Sequence, residues 1–245
     1  ALPISIRKTQ KKGNKVFLCT GRNLDMLKPL LKYGFDGVIG SAGGYVSVGE
    51  EVLYDCPMTN EERDVALEAL HRHGVFCTIE AKDGSWGDEN MDRFLQNQPE
   101  GNSEIERWRK ALSENLGIRP MSEYPGSPIY KVVIMCTQMS QLDEAKALME
   151  KNFRFAIQEV KAHGCLNGEL INRKFDKGQG VRIISEKFGV PIEDTIGFGD
   201  SMNDLEMIET VGTSVCMENG AEALKKISDL VCPSVQEDGL AKAFE

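Results

Sequence analysis

The last third of the chain alternates apolar runs with helix-patterned segments so quickly that few folds can accommodate it. Helical spacing over 177–188, 203–211 and 221–227 is interleaved with apolar runs at 195–198, 213–217 and 230–232. Strands joined through helices of this length run parallel, and a parallel sheet needs helices on both faces to bury it. The chain opens in a similar style. A short basic helix candidate ending at Gly13 leads into Val16-Phe17-Leu18-Cys19, which breaks at Thr20-Gly21-Arg22. A continuous apolar run between turn signals predicts a buried strand. Residues 23–33 return to helical spacing, with Leu24, Leu27, Leu30 and Leu31 on one side. A short strand at 38–39 follows, then hairpin strands at 45–48 and 51–54 turning at Gly49-Glu50.

The middle of the chain has another character. Thr59 with Glu62 and Ser103 with Glu106 are capping-box patterns that open helices, and Gly74 and Gly117 stand where those helices should stop. Strands are expected over 75–80, 129–136 and 153–160. The stretch 81–102, rich in Gly, Asn, Asp and Gln, names no element. An antiparallel sheet with helices on one face is the simplest arrangement. The expected fold is therefore α/β: a Rossmann-like parallel-sheet core from residues 1–56 and 164–245, helices on both faces, with an α+β domain, 57–163, inserted.

Composition narrows the partners. In 245 residues, 38 acids against 29 bases give a formal charge of −9, which argues against a nucleic-acid backbone. No apolar run approaches the ~20 residues of a membrane span, and the first dozen residues lack a secretory pattern. Seven cysteines, at 19, 56, 77, 136, 165, 216 and 232, are scattered and form no CxxC pair. That pattern predicts free thiols in a reducing cytosol, not a disulfide frame or a zinc site, and so a cytoplasmic protein.

Three segments could carry chemistry. In Ile196-Gly197-Phe198-Gly199-Asp200-Ser201-Met202-Asn203-Asp204 a buried strand runs into a Gly-Asp pair, and an Asn-Asp pair opens the next helix. Ligands of open α/β sheets gather at the carboxyl ends of strands. Two acids there suit a hard cation such as Mg²⁺; the plainer alternative is that Asp200 and Asn203 cap a helix. Thr20-Gly21-Arg22 places a hydroxyl and free N–H groups at the end of a strand, an anion cradle or simply turn geometry. Lys177, near a helix start, is either a point charge for a phosphoryl oxygen or a solvated surface lysine. His71 and His73 suit a helix C-terminus and His163 stands alone. Trp86 and Trp108 read as packing residues, and Ser41-Ala42-Gly43-Gly44 as a turn.

Taken in order, Thr20-Gly21-Arg22, Lys177-Gly178 and Gly199-Asp200-Ser201-x-Asn203-Asp204 resemble the haloacid dehalogenase-like phosphatases. The Cof-type branch, with a large C2 (type IIB) cap inserted between the second and third motifs, is most similar. The tail from Val215-Cys216-Met217-Glu218-Asn219-Gly220 through Glu237-Asp238-Gly239-Leu240 also looks like that branch. The resemblance implies Mg²⁺-dependent hydrolysis of small phosphate monoesters, sugar phosphates foremost, through an aspartyl-phosphate. It implies that Thr20 hydrogen-bonds the phosphoryl group and Lys177 neutralises it. Asp200 would ligate Mg²⁺, Asp204 would hold the metal's water shell, and Asn203 would contact phosphate or orient Lys177. Gly21 and Arg22 would complete the turn, with Arg22 reaching toward substrate, and the cap would close over the site and choose the leaving group.

One departure stands out. The family's nucleophile and acid/base aspartates lie in a DxDGT-type motif on a strand upstream of Thr20-Gly21-Arg22, and residues 1–15 contain no aspartate. Neither Asp25, in the following helix, nor Asp36, before the next strand, is placed to substitute. The expectation is that the motif lies upstream of Ala1. The alternatives are a non-catalytic phosphate-metabolite binding protein and a sugar phosphomutase. A smaller departure is Ala42, where many relatives have Asn in an Asn-Gly turn.

Overall fold

A computed structural model describes residues 2–96, 117–159 and 166–244. The chain forms two units, Ala1–Cys56 with Phe175–Glu245, and Pro57–Lys174. The expected return to the core at 164 is corrected to Phe175. The reason is a strand, Leu166–Asn172, that pairs on both edges with strands of the second unit.

In the first unit, α1 (Leu2–Lys11) precedes β1 (Phe17–Cys19), α2 (Leu24–Leu31) and β2 (Gly37–Gly40). Asn23, fully buried, caps α2 by accepting from the Met26 N–H at 3.0 Å. β1 and β2 pair in parallel across the α2 crossover, Leu18 opposite Val38. The hairpin β3 (Tyr45–Val48) and β4 (Glu51–Asp55) then extends the sheet antiparallel, in the order β1-β2-β3-β4.

The second unit begins with α3 (Asn60–Arg72), whose capping box uses Thr59 and Glu62 as the spacing predicts. It continues through β5 (Phe76–Ala81), β6 (Gly84–Gly87), α4 (Met91–Gln96), β7 (Ile118–Pro120), β8 (Ile129–Cys136), α5 (Asp143–Met149), β9 (Phe153–Glu159) and β10 (Leu166–Asn172). The sheet order is β7-β6-β5-β8-β10-β9, antiparallel except for β6 with β7. Alternate residues, Cys77 and Ile79 of β5 with Val132 and Ile134 of β8, pack against Ala66 and Leu70 of α3 and Ala145 of α5. Trp86 is wholly buried in that core. The Ser103–Glu106 pattern, Trp108, His163 and Cys165 lie outside the described residues.

Back in the first unit, α6 (Lys177–Phe188) leads to β11 (Ile196–Gly199), α7 (Leu205–Ile208), β12 (Thr213–Met217), α8 (Glu222–Ile227), β13 (Leu230–Cys232) and α9 (Gly239–Ala243). β11, β12 and β13 form a parallel sheet in that order. Val181 of α6 and Cys19 of β1 join the apolar clusters of both sheets, with Ile39 and Ile184 on one side and Met207 and Cys216 on the other. The α/β class holds, with mixed sheets and helices on both sides. Two details differ from the sequence reading. The helix expected over 203–211 is a 3₁₀ turn, Met202–Asp204, followed by the short α7. β1 is only half-buried, since β2 alone pairs with it among the described residues; β11 likewise pairs only with β12, and Ile196 at its start is 61% exposed.

Candidate active site

Lys177 is held at the start of α6 by the packing of the helix itself. Asp176 caps the helix, accepting from the Gln179 N–H at 2.7 Å. A side chain at Gly178 would stand 2.3 Å from Thr210 Oγ1 and 2.4 Å from the Glu206 carbonyl oxygen, so only glycine lets α6 approach this closely. The lysine beside it is consequently 4% exposed. Its ammonium lies 2.5 Å from Asp204 Oδ1 and 3.1 Å from Asn203 Oδ1.

Asp204 is equally buried, at 6% exposure, and both its oxygens are engaged. Oδ1 takes the Lys177 ammonium, while Oδ2 accepts from the N–H groups of Asp200 and Ser201 at 3.0 and 3.3 Å. The carboxylate therefore fixes the turn that follows β11. Backbone donors and a buried cation outcompete continued helix at this point, which explains the 3₁₀ turn. Asn203 Oδ1 also accepts from Ser201 Oγ at 2.7 Å. The Asp200 side chain is exposed, and its carboxylate accepts no hydrogen bond among the described residues; its carbonyl takes the Ala221 N–H at 2.8 Å.

Thr20 lies just past β1. Its N–H donates to the Ile39 carbonyl, and its Oγ1 accepts from the Arg22 N–H at 3.2 Å. The Cys19 thiol next to it is pushed up to about 12 by burial, eased by Lys177 and reinforced by Asp204, which puts the end of β1 within electrostatic reach of that pair. Lys177, Asn203 and Asp204 are thus joined past the carboxyl end of β11, and Thr20 stands past the carboxyl end of β1. Gly21 and Arg22 follow Thr20 in the chain; the Arg22 side chain is exposed.

The turn at Ser41-Ala42-Gly43-Gly44, where the sequence marks Ala42 as a departure from the family, is tied to the loop after β1. The Ser41 and Ala42 N–H groups donate to the carbonyls of Arg22 and Thr20, at 2.9 and 3.1 Å, and clip the two loops together. Ser41, Ala42 and Gly43 have φ of +51°, +60° and +103°, and a Cβ on Gly43 would meet the Asp176 carbonyl oxygen at 2.1 Å. The signal available was a small-residue run straight after a strand, which names a turn but not its neighbour.

A buried ammonium, a free carboxylate and a hydroxyl at one strand end can bind an anion together with a hard cation. Known proteins carry the same architecture. YkrA of Bacillus subtilis (strain 168) is 29% identical over 251 aligned residues, covering 100% of this chain and 90% of its own. The 5-amino-6-(5-phospho-D-ribitylamino)uracil phosphatase YwtE of the same organism is 24% identical over 97% of this chain and 87% of its own. Among solved structures, a haloacid dehalogenase-like hydrolase from B. subtilis superposes with a TM-score of 0.77 at 20% identity, over 100% of this chain and 92% of that one. The subclass IIB sugar phosphatase BT4131 superposes with a TM-score of 0.73 at 22% identity, over 98% and 87%. A family model described as haloacid dehalogenase-like hydrolase matches residues 4–244. With motifs, fold and family match in agreement over the whole length, the chain belongs to the haloacid dehalogenase-like hydrolases.

Proposed function

We propose that this hydrolase is a Mg²⁺-dependent phosphatase of small phosphorylated metabolites, with sugar phosphates as its substrate class. The observation that carries the reading is the buried Lys177 ammonium, held by Asp204 and Asn203 at the strand ends. A lysine has three N–H donors, and two are used; the third remains for a phosphoryl oxygen. Thr20 Oγ1 accepts from Arg22, which leaves its own hydrogen to donate to the same group. Asn203 accepts through Oδ1 and so presents its amide N–H₂ to phosphate. Gly21 offers a backbone N–H, and Arg22 reaches outward to substrate.

The donor set fits a hard cation. Asp200 offers an uncommitted carboxylate, whereas Asp204, saturated by three donors, orients the turn and the cation's water shell. When bound, Mg²⁺ supplies charge neutralisation at the phosphoryl oxygens. The printed names of YwtE, a phosphoribitylamino-uracil phosphatase, and BT4131, a sugar phosphatase, support the substrate class.

On this reading the attacking carboxylate is the aspartate of a DxDGT-type motif, and neither acid near Thr20 supplies it. Asp25 is paired with Lys28 at 2.6 Å, and Asp36 is occupied by Val16, Gln10 and Lys15. The motif aspartate's oxygen attacks phosphorus, the ester P–O bond breaks and the alcohol leaves; water then cleaves the acyl phosphate to release inorganic phosphate.

The test is phosphate release from an aryl phosphate and a sugar-phosphate panel, with and without Mg²⁺, using protein that includes any upstream segment. Turnover that requires Mg²⁺ supports the reading. Tight sugar-phosphate binding with no turnover overturns it in favour of a binding protein.

A further inference from the structure

Away from the core, the second unit brings together three side chains that no sequence spacing connects. His71 lies in the last turn of α3, Cys77 is the second residue of β5, and Asp88 directly follows β6. The left-handed Gly74, at φ +68°, turns the chain between α3 and β5 and folds these ends onto one another. His71 Nε2, Cys77 Sγ and a carboxylate oxygen of Asp88 all lie within 4.8 Å of one another. A cavity of about 300 Å³, with Val75 and Glu89 in its wall, opens beside His71 and Asp88.

We propose that His71, Cys77 and Asp88 form a binding site for a borderline-soft divalent cation, Zn²⁺ foremost. The donor set makes the choice of ion: thiolate, imidazole and carboxylate are the ligands of zinc, whereas Mg²⁺ takes oxygen alone. The site is thus chemically distinct from Asp200 in the core. It also revises the expectation of no zinc site, which rested on the missing CxxC pattern; here the fold assembles the ligands.

The His71–Asp88 separation is close to what that ion needs. Bonds of about 2.0–2.3 Å in a tetrahedron separate ligand atoms by roughly 3.3–3.6 Å. His71 Nε2 stands 2.9 Å from Asp88 Oδ2, so the imidazole, 41% exposed, has only a few tenths of an ångström to yield. Cys77 and Asp88 are already fixed to each other. The Cys77 N–H donates to Asp88 Oδ2 at 2.7 Å, and the Asp88 N–H donates to the Cys77 carbonyl at 2.9 Å. Such bonds behind the ligands orient them before the ion arrives. The cavity beside His71 and Asp88 leaves room for a water as fourth ligand.

Charge completes the case. Burial, with Asp88 and Cys136 nearby, holds the Cys77 thiol well above its ordinary range, so a lone thiolate there is costly. On binding, the Sγ–H bond gives its proton to solvent and a sulfur–metal bond forms; the Nε2 proton that His71 shares with Asp88 is displaced as well, to solvent or to Nδ1, so that Nε2 binds as neutral imidazole. A divalent cation with one thiolate and one carboxylate sums to zero, so the buried Cys77 thiolate is not left without a counter-charge.

Co²⁺ is the probe, added to the full chain with Mg²⁺ in excess over the oxygen-ligand site. The expected result is one equivalent bound, with a near-ultraviolet thiolate-to-cobalt charge-transfer band and displacement by Zn²⁺. The band should vanish in Cys77→Ser, affinity should fall at least about tenfold in His71→Gln, and Asp200→Asn should change neither. Absence of the band, or its persistence in Cys77→Ser, overturns the site. Should Cys77→Ser fail to fold, the surface variant His71→Gln decides: unchanged Co²⁺ affinity overturns the proposal. None of these outcomes depends on phosphatase activity.

Discussion

The Lys177 ammonium and the Asp204 carboxylate form an ion pair of 2.5 Å in which neither partner is more than 6% exposed. Charges buried this deeply are costly to hold apart from water, and each is tolerable only because of the other. Lys177→Met should therefore destabilise the protein by about 3–5 kcal/mol in urea unfolding, since Asp204 is left buried without a counterion. Adding Asp204→Asn should recover part of that loss, with a coupling on the order of 1–3 kcal/mol. Purely additive losses would show that the pair does not act as a unit.

Asp200 lies close to Asp204 in sequence but differs in exposure, and the two should separate function from stability. Asp200→Asn should leave the unfolding free energy within about 0.5 kcal/mol of wild type. In protein carrying the nucleophile segment it should reduce Mg²⁺-dependent phosphate release by about 10²–10³-fold. Undiminished turnover in this variant would remove Asp200 from the proposed metal site.

Ala42 adopts φ +60°, a left-handed conformation that costs a residue with a Cβ roughly 1–2 kcal/mol. Ala42→Gly should release that strain and raise stability by up to about 1 kcal/mol once glycine's greater entropy in the unfolded chain is counted. A rise in Tm checks it; a fall would mean that packing of the buried methyl outweighs the strain.

Asp36 ties α1 to the start of β1. Burial works against its charge, but Gln10, the Val16 N–H and Lys15 together hold its carboxyl below the usual carboxylate range. A folded-state value below the unfolded one of about 3.9 means that the stabilisation is present at higher pH. It is lost as pH falls through the lower, folded-state value. The stability gap between wild type and Asp36→Asn should accordingly be widest above about pH 4 and close in more acidic solution. Urea titrations across that range measure it, and a gap independent of pH would refute the assignment.

Legibility from sequence followed how local each feature is. The α6–β13 stretch could be read because each strand is an apolar run and each helix a local pattern. Thr59 and Glu62 cap α3 for reasons contained in four residues. β10 was not legible: Leu-Asn-Gly-Glu-Leu-Ile-Asn has little strand character, and it becomes a strand through pairing with β8 and β9. The motifs pointed to Thr20, Lys177, Asn203 and Asp204; hydrogen bonds join the last three, while Thr20 bonds Ile39, Arg22 and Ala42. What no motif could show was that both Asp204 oxygens are already taken, or that Ser41 and Ala42 clip the loop after β1. Those facts depend on residues distant along the chain meeting in space.

The second unit is a continuous stretch, Pro57–Lys174, whereas the first is completed only by residues on either side of it. On a ribosome, the inserted unit can finish folding while most of the core's second half is still unmade. The β1–β4 sheet must then wait for α6 before Ile39 and Val46 find Ile184. Synthesis therefore favours an order: the portion bearing His71, Cys77 and Asp88 can mature first, and the split unit is completed last, when Lys177 and Asp204 meet.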